Sequence, residues 1–487
     1  MAKMEKLTEQ DRRFFQLVSA AAFSNPFGDE RAELDRQLAG LTGAPKDKLL
    51  KAVIVSVEER VRALERAGRA NLALYDGEDR ECLALGLLFE LFHRYLKAFD
   101  ELIQRQSRDG DDPCPVPFSG ELLARLREHG FGAEAARHYL AFFYQLRRAF
   151  FFIAQLIGRS PSMRDLRRAL WNNVFTHDAR RYEKRLWNRM EDFSTLLLGE
   201  TGTGKGAAAA AIGRSGYIPF DEKRGRFAES FTRNFISINL SQFPEALIES
   251  ELFGHKKGAF TGAVDHHVGI LARCVPHGAI FLDEIGDVSV PVQIKLLKVL
   301  QERTFTPVGS HDNLPFRGRI VAATNRPLDE LRRDGNFRDD FFYRLCSDVI
   351  EVPPLRRQLG EDPTSLDALL RHLLTRILGD ADEALVAEIR QTLNRDLPAD
   401  YHWPGNVREL EQAARRVLLN GRYGGDPFAR PAEDETAREA GEADELTAQQ
   451  VLTRHCRQLY RRFGTYEEVA RRARLDRRTV KKYLQED

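Results

Sequence analysis

The chain has 487 residues, enough for about three domains at ~150 residues each. Lys and Arg total 74 against 73 for Asp and Glu, a net charge of +1, which excludes a uniformly basic nucleic-acid coat but leaves room for a local basic patch. Apolar runs such as Ala149 to Ala154 fall far short of the ~18 residues of a membrane span. The opening Met1-Ala-Lys-Met-Glu-Lys has no apolar signal-peptide core, and the five scattered cysteines lack metal-ligand spacing, so a reduced, cytoplasmic protein is expected.

Residues 1–159 read as a helical domain. Leu83, Leu87, Leu88, Leu91 and Tyr95 recur at helical spacing, as do Tyr139, Phe142, Phe143, Leu146, Phe150 and Ile153. The aromatic run around Phe150 fits a packed helical core better than a cofactor box. His93, His129 and His138 lack the carboxylate–His repeats of a helical metal bundle and read as solvated or core residues.

From about residue 160 to 358 the pattern changes. Short apolar runs at 194–198, 235–240, 279–282 and 319–323 alternate with helical stretches, which predicts a parallel sheet sandwiched by helices. A helical region at 359–423, an acidic, Ala-rich linker at 424–446 and a short basic helical tail at 447–487 follow.

The first sandwich strand runs into Gly199-Glu200-Thr201-Gly202-Thr203-Gly204-Lys205-Gly206, a glycine-rich turn opening an Ala-rich helix. Glycines let backbone N–H groups converge on phosphate, the helix N-terminus favours the anion, and Lys205 reaches the terminal phosphates. The usual closing Ser/Thr, a magnesium ligand, is Gly206 here. A second apolar strand ends in Asp283-Glu284, a pair suited to holding magnesium and polarising an attacking water. The two motifs together indicate a P-loop ATPase that uses ATP and Mg2+.

The string Gly258-Ala259-Phe260-Thr261-Gly262-Ala263 decides the class. It is identical to the loop signature of bacterial enhancer-binding proteins, AAA+ ATPases that activate sigma-54 RNA polymerase. A given six-residue string arises by chance about once in 10^4 to 10^5 chains of this length. Phe281-Leu-Asp-Glu-Ile-Gly-Asp, Val321-Ala-Ala-Thr-Asn325-Arg, Phe337-Arg338 to Arg344-Leu and Trp403-Pro-Gly-Asn-Val-Arg408-Glu-Leu also resemble that family, so the likeness covers about 161–419. It implies an AAA+ core with a helical lid.

The resemblance also assigns roles. Asp283 would hold magnesium, Glu284 would orient the water, Asn239 would be that glutamate's switch partner, and Asn325 would sense the γ-phosphate. Arg338 and Arg344 resemble arginine fingers that act on the neighbouring subunit, and Arg408 resembles the lid arginine that contacts nucleotide in its own subunit. The loop Gly258–Ala263 would contact sigma-54. The family commonly has Glu where Gly206 stands.

In the tail, Tyr466 to Leu484 reads as helix, tight turn, helix, with Val469, Ala470, Leu475, Val480 and Leu484 as its small core. Arg477, Arg478, Thr479, Lys481 and Lys482 populate the second helix, as a recognition helix requires, and the family places a helix-turn-helix here.

The expected protein is therefore a sigma-54-dependent activator working as a homo-oligomeric ring, a hexamer, at upstream promoter DNA. The competing readings are an AAA+ remodeller of another protein and a DNA-binding repressor with a degenerate ATPase. The segment 214–233 suggests a surface insertion. Residues 1–159 show no receiver-domain pattern, and a regulatory domain is expected whose deletion leaves a folded ATPase.

Overall fold

Alternation along short strands builds the centre of the molecule in the computed structural model, which describes residues 4–41, 44–425, 452–453, 456, 460, 465–473 and 475–485. Strands β1 (Thr195–Leu198), β4 (Phe235–Asn239), β5 (Ala279–Asp283), β6 (Arg319–Thr324) and β7 (Asp348–Glu351) form a parallel sheet in the order β4-β5-β6-β1-β7. β2 (Phe220–Asp221) and β3 (Arg226–Phe227) form a separate antiparallel pair. Successive side chains point to opposite faces, and both faces are covered. Leu196, Ile280, Leu282, Ile320 and Ala322 enter one hydrophobic core, while Leu197, Phe281, Val321 and Ala323 enter another. The four expected strands are present. β7 is an addition at the sheet edge, where only Ile350 is buried along Asp348-Val-Ile-Glu.

The N-terminal helices are α1 (Glu9–Phe23), α2 (Asp29–Ala39), α3 (Lys46–Arg66), α4 (Gly77–Arg94), α5 (Leu96–Asp109), α6 (Ser119–Glu128) and α7 (Ala133–Ala154). Then comes α8 (Pro161–Phe175), which starts where Ser160 Oγ accepts from the Met163 N–H and Pro161 occupies the first turn. α9 (Lys205–Gly213) follows the glycine turn, and α10 (Glu245–Phe253), α11 (Val290–Glu302) and α12 (Asp339–Leu345) cover the first face of the sheet. The second face is covered by α7, α8 and α9.

The lid consists of α13 (Leu355–Glu361), α14 (Ser365–Leu378), α15 (Glu383–Asp396) and α16 (Asn406–Asn420), with its own leucine-rich core around Trp403.

Segment 214–233 is not a surface insertion. Tyr217, Ile218, Phe220, Phe227 and Phe231 are buried in one cluster with Phe99, Val116, Phe143 and Tyr144 of the N-terminal helices. The Tyr144 and Phe227 rings stack at 4.0 Å. Arg148 on α7 is wholly buried and donates to the carbonyls of Arg214 and Gly216, each at 2.6 Å, just beyond the end of α9. Fully burying one such side chain contributes ~1.5–3 kcal/mol, so these five contribute roughly 10 kcal/mol, comparable to the net stability of a whole domain. Deletion through Arg159 would uncover them, which argues against the expected folded ATPase after that deletion. Residues Met1–Gly425 pack as one unit and Asp426–Asp487 as another.

In the second unit, α17 (Tyr466–Ala473) and α18 (Arg477–Gln485) pack through Val469 and Val480, with Ala470, Leu475 and Leu484 around them. The expected linker beyond Gly425 and the first five residues of the tail lie outside the described residues. Among those described, no helix is long and apolar enough to cross a membrane.

Candidate nucleotide site and surface loop

The turn between β1 and α9 places three glycines at positive φ: Gly199 (152°), Gly202 (80°) and Gly204 (101°). Gly202 has a second reason to be glycine, because a Cβ there would lie 2.3 Å from the carbonyl oxygen of Gly405 in the lid. Thr203 Oγ1 donates to the Glu200 carbonyl at 2.9 Å. Lys205, at the start of α9, is buried, and its Nζ donates to the carbonyls of Gly199 (2.7 Å) and Glu200 (3.0 Å). Burial pulls the Lys205 ammonium below its ordinary range, while Glu284 and Asp283 oppose that shift. Burial likewise raises Asp283 and Glu284 above the usual carboxylate range, and Lys205 counteracts both shifts. The cation and two carboxylates form one interdependent cluster at the C-terminal end of the sheet.

These groups line a cavity of about 460 Å³ together with Thr201, Gly206, Arg408 and lid residues that include His372 and Arg376. A polar cleft of this size at strand C-termini, with a backbone cradle at a helix N-terminus, fits a triphosphate.

Glu284 sits in a left-handed backbone conformation (φ 57°, ψ 47°), and its carboxylate accepts from the Asn325 N–H at 3.3 Å. Asn325 Nδ2 donates to Thr201 Oγ1 at 2.7 Å, so the residue expected to sense the γ-phosphate touches the phosphate loop directly. Asn239 stands opposite Asp283 in the sheet register. Its Oδ1 accepts from the N–H and hydroxyl of Ser241 at 3.0 and 2.7 Å, whereas Glu284 is engaged with Asn325.

Asn406 was not among the expected site residues. It is fully buried with φ 53°, and its Nδ2 donates to Glu200 Oε2 at 3.0 Å and to the Thr201 carbonyl at 3.1 Å. Its Oδ1 accepts from the Leu355 N–H at 2.7 Å. The Val407 N–H donates to the Gly202 carbonyl at 3.1 Å. The lid thereby grips the phosphate loop through the Asn406 carboxamide, one main-chain bond and an ion pair between Arg356 and Glu200 at 2.6 Å. The only sequence signal is its place beside Arg408 in the Trp403–Leu410 motif.

The loop Gly258–Ala263 follows α10 and is exposed at Gly258 and from Phe260 to Gly262. Gly258 and Gly262 have φ of 80° and 100°, and the Gly258 N–H donates to the Ala263 carbonyl at 2.8 Å, closing a tight ring. The Phe260 ring lies edge-on to His255 at 4.9 Å. A second loop supports it: Ala259 lies so close to Gly309 that a Cβ there would approach to 2.7 Å, and Lys256 pairs with Asp312 at 2.8 Å.

A family model described as the sigma-54 interaction domain matches residues 176–351. The chain is 34% identical over 351 residues to the C4-dicarboxylate transport transcriptional regulatory protein DctD of Rhizobium meliloti (strain 1021), covering 70% of this chain and 67% of that protein. This chain belongs to the sigma-54-dependent transcriptional activators. It is 41% identical over 264 residues to the DNA-binding transcriptional regulator NtrC of Azospirillum brasilense, covering 54% of this chain and 47% of that one. It is also 38% identical over 288 residues to the Nif-specific regulatory protein of Azotobacter vinelandii, covering 59% of this chain and 48% of that protein. The chain thus spans about half the length of these two relatives.

In this chain, Arg338 and Arg344 do not line the cleft. Arg338 forms a paired contact with Asp340 (2.7 and 3.0 Å), and Arg344 donates to the Leu300 carbonyl at 3.0 and 3.1 Å. In the second unit, Asp476 caps α18 by accepting from the N–H groups of Arg478 (2.9 Å) and Thr479 (3.0 Å). The Thr479 hydroxyl also donates to Asp476, so it serves the cap. Arg477 pairs with Glu467 at 3.0 Å, and Arg478, Lys481 and Lys482 are exposed.

Proposed function

We propose that this protein activates transcription by sigma-54 RNA polymerase in the cytoplasm, hydrolysing ATP as a homo-oligomeric ring, a hexamer, while bound to upstream promoter DNA. The observation that carries this reading is the pairing, in one unit, of a phosphate cleft with the exposed, glycine-flanked loop Gly258–Ala263. A repressor with a degenerate ATPase would need neither, and an unrelated remodeller would not need that loop sequence.

The loop amides from Gly199 to Gly206 and Lys205 hold the phosphates, and Arg408 contacts them from the lid. Asp283 would hold Mg2+, since Gly206 offers no hydroxyl, and the ion would supply charge that neutralises the phosphates. Glu284 orients and polarises the attacking water, and Asn325 reports the terminal phosphate to the loop through Thr201. Asn239 takes over the Glu284 carboxylate in a second nucleotide state. Arg338 and Arg344 leave their present partners to act on the neighbouring subunit's nucleotide. Phe260 and Thr261 contact sigma-54, the helix-turn-helix binds DNA through Arg477, Arg478, Lys481 and Lys482, and the N-terminal helices regulate the ATPase.

The test is in vitro transcription from a sigma-54 promoter. Product that requires this protein and hydrolysable ATP supports the reading, and product formed equally well with a non-hydrolysable analogue contradicts it.

A further inference from the structure

We propose that the N-terminal helices bind a small, uncharged, largely apolar molecule carrying one hydrogen-bond donor, and that its occupancy is passed to the nucleotide cleft along α7 and α8. Binding stands on its own observations, while the coupling rests on the ATPase reading above.

A cavity of about 320 Å³ opens among α1, α2, α4, α7 and α8. Its walls are mainly apolar and include Phe23, Leu88, Phe92, Phe142, Phe143 and Phe150. This explains why Leu146 and Phe150, which have the spacing of core residues, are only half-buried: they face a space. An apolar cavity of this size with few polar groups has the make-up of a small-molecule site.

Its polar groups define the ligand, and two of them are already engaged: Ser24 Oγ donates to the Ala21 carbonyl at 2.8 Å, and the Tyr139 hydroxyl is hydrogen-bonded to Glu183. Arg31 pairs with Asp35 at 2.8 Å, and Arg147 pairs with Asp100 at 2.7 Å, so both cations on the wall already have partners. A charged ligand would lose its hydration and gain no free counter-charge. His93 also lines the cavity. Its Nδ1 lies 2.9 Å from the Phe89 carbonyl, which accepts and so requires the proton on Nδ1. Burial holds the His93 pKa down at about 4, so the ring is neutral at physiological pH and Nε2 is an acceptor. A hydroxyl or N–H on the ligand satisfies it.

The coupling is geometric. α7 lines this cavity with Phe142, Leu146 and Phe150, and the residues just past its last turn, Gln155 and Leu156, line the nucleotide cleft. α8 contributes Trp171 to the cavity and Met163 and Leu166 to the cleft. α8 thus forms a wall of both sites and α7 runs from the cavity to the edge of the cleft, so a ligand that shifts either helix reshapes the cleft. The requirement is differential affinity for two helix positions, as for any allosteric ligand.

The experiment uses the full-length protein without nucleotide and measures equilibrium dialysis of 2-naphthol, 2-methylnaphthalene and 2-naphthoate. The expected order is 2-naphthol first, ahead of 2-methylnaphthalene by roughly two- to tenfold. The 2-naphthoate anion should be weaker than 2-naphthol by more than about tenfold. His93→Phe should erase the preference for the hydroxyl while keeping 2-methylnaphthalene binding, and Ala32→Phe, which fills the cavity from α2, should abolish all three. Failure of the wild type to bind any of the three, or undiminished binding by a folded Ala32→Phe variant, overturns the site. Saturating 2-naphthol should change ATP turnover at least about twofold in the wild type and leave Ala32→Phe unaffected. Binding with unchanged turnover and ATP affinity overturns the coupling. Absence of turnover in the unliganded and liganded protein alike, with binding intact, counts against the ATPase reading instead.

Discussion

The buried guanidinium of Arg148 donates to the carbonyl of Arg214 at 2.6 Å, joining the N-terminal helices to the far end of the helix that begins in the phosphate loop. Burial brings the Arg148 pKa down to about 10, so the side chain is still cationic at neutral pH and suits the negative end of α9. Arg148→Met should leave the carbonyls of Arg214 and Gly216 unpaired, at ~1–3 kcal/mol each. Chemical denaturation followed by circular dichroism should register a loss of a few kcal/mol. Unchanged stability would mean that water replaces the guanidinium without penalty.

Lys205 and Glu284 should fail in different ways. Lys205→Ala removes the buried cation of the cleft, so nucleotide affinity should fall. Glu284→Gln keeps the shape and loses the charge, so ATP should still bind while turnover drops by several orders of magnitude. Affinity and rate measured on both variants test the assignment, and normal turnover by the Gln variant would remove Glu284 from its role.

Arg344 donates to the Leu300 carbonyl of its own chain, and Arg338 to its own Asp340. Arginine fingers contribute ~10^3–10^5 in rate in well-studied P-loop enzymes. An Arg344→Ala subunit supplies an intact Glu284, and a Glu284→Gln subunit supplies an intact finger. Mixing two inactive proteins should therefore restore hydrolysis in mixed rings. Assembly without recovery at any ratio would contradict action between subunits.

Lys481 and Lys482 should supply affinity for DNA without affecting hydrolysis. Replacing both by Ala should weaken binding about equally across sequences and flatten its dependence on salt, the slope falling by about one for each phosphate that is no longer neutralised. A binding titration at several salt concentrations reads both effects. An unchanged slope would place both lysines away from phosphate.

Much of the cleft is legible in the sequence because glycines at fixed spacing and a strand ending in Asp283-Glu284 encode its walls locally. Asn406 is not legible in that way, since its partners Glu200, Thr201 and Leu355 meet it only when the lid folds over the loop. β7 is hidden by its charged ends: Asp348 and Glu351 flank just two apolar residues. The segment around Phe220-Asp221 and Arg226-Phe227 mixes aromatics with charges and so reads as surface. It is a hairpin whose pairs Phe220–Phe227 and Asp221–Arg226 put rings on one face and charges on the other. The cavity in the helical layer is equally hidden, because residues that line a space and residues that fill a core share the same periodicity.

The measurement closest to the central claim is capture of sigma-54 by the wild type and by Thr261→Ala, each with and without a transition-state analogue of ATP. Thr261 is exposed on a loop with glycines on either side, remote in sequence from Lys205, Asp283 and Glu284, so its replacement should leave ring formation and hydrolysis nearly unchanged. The wild type should capture sigma-54 only with the analogue, and Thr261→Ala should not capture it in either condition. Capture that ignores both the analogue and the substitution would contradict a nucleotide-driven loop.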